Sequence, residues 1–233
     1  MNNGSSVFTL LFFAAILLLV LFSRKSDPEA KRRKDLAALA QKLHLRFNPG
    51  NDCELAEKFS FLSWLRRGDV RYAYNVFHGC HLEYPVTIFD YHFSTPSGGK
   101  SGGYDYYWSA FVVEMKTNFP DMIISHESRE SRLAEALGGS HIAFESAEFT
   151  RAFRVRSSDK KFAYDVCHPK MMEYLLANQD LTVEISGAGL AVLFEDWLRP
   201  EKIEANLSRL IEIRKLLPDY LFAKTDAGTG VKA

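Results

Sequence analysis

Three places in the 233-residue sequence gather residue types that do chemistry. His78, Cys80 and His81 put three potential zinc ligands into four residues, and Cys167-His168 adds two more, the donor set of a tetrahedral site. The spacing matches no zinc finger, and Cys80 and His81 point to opposite faces of any strand that holds them, so only part of the set can converge. Gly99-Lys100-Ser101 has the ending of a phosphate-binding loop, in which glycines open backbone amides to phosphate and a lysine adds charge. Ser94 stands where that motif needs its first glycine, and an aromatic, strand-like stretch follows in place of a helix N-terminus that would receive an anion. The segment therefore reads as a hairpin loop. Glu145, Glu148, Asp159 and Asp165 supply carboxylates for acid–base work, but no spacing sets two of them on one cleft, and capping and solvation account for them.

No Gly-x-Ser-x-Gly elbow, His-Glu-x-x-His helix or dinucleotide-type Gly-x-Gly-x-x-Gly turn occurs. Gly187-Ala188-Gly189 reads as the turn of a hairpin. The sequence thus assigns no catalytic, cofactor-binding or metal-ligating residue. With 29 basic against 29 acidic side chains it gives no sign of a nucleic-acid partner. Its 47% hydrophobic and 25% charged content is that of globular material. Three widely spaced cysteines, Cys53, Cys80 and Cys167, make no disulfide framework and suit a reducing compartment.

The elements that must position these residues begin at an uncharged run. Val7 to Ser23 is just short of the ~20 apolar residues that span a bilayer and predicts a transmembrane helix after a short extracytoplasmic segment, 1–6. A cleaved signal peptide is disfavoured, because no Lys or Arg precedes the run and no Ala-x-Ala site follows it. Arg24, Lys25, Lys31, Arg32, Arg33 and Lys34 follow closely, so the positive-inside rule puts the remainder on the cytoplasmic face. Residues 24–50 read as a basic juxtamembrane segment with a linker helix from Pro28 to about His44, stopped by Asn48-Pro49-Gly50. Residues 51–222 read as one soluble domain, and 223–233 as a disordered tail.

Within the domain the periodicity predicts a short helix over 55–65 and strands over 70–77, 80–94, 104–115 and 122–124. The first two are joined at His78-Gly79, and 95–103 is the glycine-rich loop. A helix over 129–137 follows, then a strand over 153–156, a helix capped by Asp159, another opened by Pro169, the glycine hairpin of 181–186 with 190–194, and a closing helix from Pro200 to Leu217. The expected class is α+β with an antiparallel sheet. Seven strands and a closing helix permit a pleckstrin-homology-like order.

One block, Phe144-Glu145-Ser146-Ala147-Glu148-Phe149, then Phe153-Arg154-Val155, Asp159, Phe162-Ala163-Tyr164-Asp165 and His168-Pro169-Lys170-Met171-Met172 through Leu175-Leu176, resembles a group of bacterial single-pass membrane-anchored proteins of unknown function. Asn75-Val76-Phe77-His78-Gly79 and Phe89-Asp90-Tyr91 fit the same pattern, and the similarity runs from about Leu36 to Leu217. The resemblance implies a bacterial source and one N-terminal anchor, and it brings no catalytic or ligand residue. The expected function is a membrane-tethered binding or scaffold module whose expected partner is the bilayer, through the N-terminal helix, with a protein partner unidentified. Two alternatives stay open: an enzyme with an unconventional site drawing on Asp159, Asp165, His168 or His78 to His81, and a module recognising lipid headgroups through the basic run.

Overall fold

The computed structural model describes residues 27–95, 103–127 and 141–223. The transmembrane expectation for 7–23, the glycine-rich loop, the helix expected over 129–137 and the tail lie outside them. Among the described residues no helix is long and apolar enough to cross a membrane.

Helix α1, Pro28–Lys42, opens with Asp27 accepting from the Glu29 N–H and with proline in its first turn. It is no free linker. Leu36 and Ala40 are fully buried in the main core, and the chain then runs into β1, Arg46–Asn48, antiparallel to β2. Helix α2, Cys53–Lys58, is capped by Asp52, and a 3₁₀ turn covers Ser63–Arg66, so the single helix expected over 55–65 is two short pieces. Strands β2, Arg71–His81, and β3, Tyr84–Thr95, form a hairpin that turns at Leu82 and Glu83, both with positive φ (47° and 70°), as a primed two-residue turn requires. The turn was expected at Gly79. That glycine is instead needed for close packing, because a Cβ there would stand 2.9 Å from the Leu45 side chain.

Strand β4, Tyr104–His126, unites the two strands expected over 104–115 and 122–124. Pro120 is tolerated inside it because the ladder to β6 shifts register on either side of Phe119, so the missing N–H costs no regular bond. Helix α3, Ala147–Ala152, capped by Ser146, was not foreseen; β5, Phe153–Ser157, α4, Lys160–Val166, and α5, Pro169–Leu176, fall where expected. Strand β6, Thr182–Phe194, replaces the expected glycine hairpin with one continuous strand. Its glycines make room for Phe61: a Cβ on Gly189 would lie 2.5 Å from that ring, and Gly187 takes φ +50° beside it. Helix α6, Pro200–Leu216, and a final turn, α7, Tyr220–Ala223, complete the described chain.

All six strands form one antiparallel sheet in the order β1-β2-β3-β4-β5, with β6 on the other side of β4. The fold is α+β with an antiparallel sheet and several helices. The seven-strand, pleckstrin-homology-like order is not formed among the described residues, because two expected strand pairs each fuse into one strand. One face of the sheet packs under α1 and α3 to α6, around Phe77, Ile88, Phe111, Val155, Val192 and Leu207. The opposite face is covered by the 53–66 segment through Phe59, Leu62, Trp64 and Leu65, against Phe89, Tyr91 and Ala191.

Candidate functional site

Strand alternation sets two rows of polar and aromatic side chains on the helix-covered face, beyond the apolar row of Ile88 and Phe111. Tyr74, Asp90 and Ser109 make the first row; Tyr72, His92 and Tyr107 make the second, closer to the end of the sheet. Asp90 is completely buried and serves three donors. Its Oδ2 accepts from the Arg32 guanidinium of α1 at 2.9 Å and from Asn75 Nδ2 at 2.8 Å, and its Oδ1 accepts from the Leu198 N–H at 2.6 Å. Burial pushes the Asp90 carboxyl up, against the pull of Asn75, Leu198 and Arg32. Burial works to lower Arg32, but the hydrogen bonds and charges of Glu29 and Asp90 outweigh it, so the guanidinium is held above its ordinary value and stays charged. Asn75 reaches Asp90 from a β-bulge, where it takes φ +49°.

Between β6 and α6 this clasp is continued by Trp197, which is 48% exposed. Arg32 lies 5.8 Å from its ring centroid and Tyr107 meets it edge-on at 6.2 Å. From Tyr107 the ring contacts pass to His92 at 5.0 Å and on to Tyr72 at 4.7 Å. Trp197 is the shared wall of three adjoining grooves. One of about 290 Å³ runs along α6 past Phe194, Arg199, Lys202 and Arg209. A second, of about 560 Å³, opens between Trp197 and the first turns of α1 at Pro28, Lys31 and Asp35. A third, of about 260 Å³, is bordered by Asp105, Tyr106 and Tyr107. An aromatic wall flanked by both signs of charge suits a ligand with an apolar face and a hydrogen-bonding head.

His92 Nε2 meets Asp105 Oδ1 at 3.0 Å, a histidine–carboxylate pair; among the described residues its buried Nδ1 has no partner and no hydroxyl or thiol is hydrogen-bonded to the ring. Glu184, on the opposite face, is fully buried and accepts from the Ser63 N–H at 2.6 Å; burial pushes its carboxyl up to about 7, against the Ser63 and Trp64 donors and the Arg66 charge. It fastens the 3₁₀ turn to β6.

The residues singled out in the sequence are dispersed. Exposed His78 on β2 contacts Thr87 Oγ1 at 3.1 Å, and Cys80 is an exposed free thiol. Cys167 is buried in the core between α4 and α5, where burial pushes its thiol up, and His168 Nε2 lies 2.8 Å from the Leu216 carbonyl. Among the described residues no group of three His, Cys, Asp or Glu side chains could hold a metal ion. Glu145 and Glu148 are exposed on either side of the Ser146 cap. Asp159 and Asp165 do share a groove of about 270 Å³, yet Asp159 caps α4 through the Lys161 and Phe162 N–H groups, and Asp165 pairs with Lys161 at 2.9 Å. Ser94 lies on β3 bonded to the Val70 carbonyl, and a strand, β4, follows the glycine-rich loop. Sequence reasoning missed Arg32, Asp90, Glu184 and Trp197 as a set. A usable signal existed for two of them, a lone carboxylate inside an apolar strand run in Phe89-Asp90-Tyr91 and in Val183-Glu184-Ile185.

Fold and site together define an α+β domain with charged, aromatic-walled grooves around Trp197. No protein-family model matches the chain. No curated protein matches it either. The crystal structure of the mycobacterial trehalose monomycolate transport factor A, TtfA, shares the fold: the TM-score is 0.60 over 82% of this chain and 97% of that one, at 12% identity.

Proposed function

We propose that this chain is a membrane-tethered binding module, not a catalyst, that takes the polar part of a membrane amphiphile in the Trp197 grooves and so assists lipid handling at the cytoplasmic face. The carrying observation is the place of the site: the largest of the three grooves is bounded by Pro28 and Lys31, the first turn of the helix that follows the uncharged run 7–23. The fold shared with a protein named for trehalose monomycolate transport supports a lipid-related accessory role. Retention of 7–23 as a single-pass anchor, with the domain in the cytoplasm, belongs to the same proposal. The clasp around Asp90 contributes by fixing α1, and with it one groove wall, to the sheet.

The test is mild crosslinking of the full-length protein in its native membrane, followed by mass spectrometry of co-purified lipids and proteins. Wild type, a Trp197→Ala/Arg199→Glu variant and an anchor-only control are compared. A lipid class enriched with wild type and lost from the variant supports the reading. Identical lipids in all three sink it, and a single enriched protein in place of a lipid replaces it with a scaffold.

A further inference from the structure

Large apolar side chains exposed among the described residues are not spread evenly. Val70, Tyr104, Tyr106, Tyr107 and Trp197 gather at one end of the sheet, whereas Leu82 lies at the other, toward which Tyr220 is also directed because Arg214 bridges Tyr84 and Phe222; Tyr164 is on helix α4. The ladder fixes this placement. Arg71 faces Phe93 and Thr95 faces Tyr104, so the start of β2, the end of β3 and the start of β4 are level, and Phe194, the last residue of β6, is bonded beside Ser109 just before Trp197. Helix α1 points the same way: Arg32 meets Asp90, while Leu45, beyond its C-terminus, packs beside Gly79 toward the far end.

We propose that this aromatic end rests in the headgroup–hydrocarbon boundary of the bilayer that holds the anchor, so that the Trp197 grooves open at the level of the lipid heads. The inference rests on the tether reading above. Tyrosine and tryptophan, with an apolar body and one polar tip, concentrate at that depth, whereas aliphatic side chains prefer the interior. Residues 24–27 can span at most about 14 Å between the uncharged run and Pro28, so α1, fixed to the sheet by Asp90, cannot hold this end far from the surface. Lys31, Arg33 and Lys34 are exposed on α1, where anionic heads would meet them. At this rim Asp196 is paired with Arg199 and Arg71 with Glu57, and Asp105 is hydrogen-bonded to His92; Asp69 and Glu195 are exposed there as well, which limits the seating to the depth of the headgroups. Strand β3 has 12 residues, about 40 Å, which puts Leu82 well clear of the interfacial layer.

The full-length protein, with Cys53→Ser and Cys80→Ser, is reconstituted into phosphatidylcholine–phosphatidylglycerol vesicles carrying a nitroxide at Tyr104→Cys or at Leu82→Cys. Collision of the label with oxygen, which partitions into lipid, is compared with collision with a water-soluble nickel chelate. The expected oxygen-to-nickel ratio is several-fold higher at position 104 than at position 82. In a second measurement, lipids brominated near the carbonyl quench tryptophan emission of wild type, and Trp197→Phe removes most of that quenching, because Trp64 and Trp108 are buried. Equal ratios at the two positions, with quenching unchanged in Trp197→Phe, overturn the seating while leaving the tether intact. A chain that a carbonate wash strips from the vesicles removes the tether, and with it both readings.

Discussion

Replacing Arg32 by methionine keeps much of the aliphatic stem and removes the guanidinium, and with it the bonds to Asp90, the Leu198 carbonyl and Glu29. An exposed ion pair is worth at most about 1 kcal/mol, whereas breaking a buried pair costs about 3–5 kcal/mol because a charge is left uncompensated. Here the Asp90 side chain is fully buried and Arg32 is 15% exposed, so the second regime applies on the carboxylate side. After Arg32→Met, Asp90 still accepts from Asn75 and from the Leu198 N–H, which holds the expected loss near the lower limit, about 3 kcal/mol. Asp90→Leu should cost more. It strands the Leu198 N–H and Asn75 Nδ2 in the interior at about 1–3 kcal/mol each, while Arg32 keeps Glu29 as a partner. Urea unfolding of full-length protein in mild detergent, followed by tryptophan emission, gives both values from one assay. Losses below about 1 kcal/mol for both variants, or a larger loss for Arg32→Met than for Asp90→Leu, would refute the reading of Asp90 as a three-donor hub.

Glu184 sets a pH dependence of the opposite sense to an ordinary carboxylate. Its folded-state value of about 7 lies above the ordinary 4.5, so the folded chain keeps a proton that the unfolded chain has already lost. Its contribution to stability is complete below pH 4.5 and is lost as the pH rises through 7. The difference in stability between wild type and Glu184→Gln, measured by denaturation at pH 4.5 and pH 8, should shift in favour of the variant by roughly 3 kcal/mol across that range. Gly189→Ala puts a methyl group into the Phe61 ring and should lower stability by about 1–3 kcal/mol, with partial recovery in Gly189→Ala/Phe61→Leu, read from urea midpoints.

Helices were legible where a cap and an apolar stripe coincided. Asp159 before α4, Pro169 opening α5, and Ile203, Leu207 and Leu210 along α6 all stand in the structure as read. Most strands were legible too, but β1, three residues long inside the expected linker, was not, and neither were strand ends. Gly187 and Gly189 look like a turn in one dimension, and their reason for being there is an aromatic ring about 125 residues upstream in the chain, which no local pattern reveals. Pro120 misled in the same way, since only the register shift in its ladder makes it harmless. The candidate site was the least legible part. Trp197 sits in a connection with no periodicity, and Arg32 is one of several basic residues in a run whose sole unusual member is the one that reaches Asp90 across the fold.

Strand β4 is flanked by β3 and β5 on one side and by β6 on the other, and this order sets a timetable for synthesis. The ribosome adds roughly 70 residues between the end of β4 and the end of β6, about 3–14 s at roughly 5–20 residues per second. Throughout that interval the long central strand shows an uncovered edge to every other nascent chain nearby. Truncation before Thr182 therefore leaves not a smaller domain but a sticky one, and a stalled or clipped product is a natural client for chaperones and proteases.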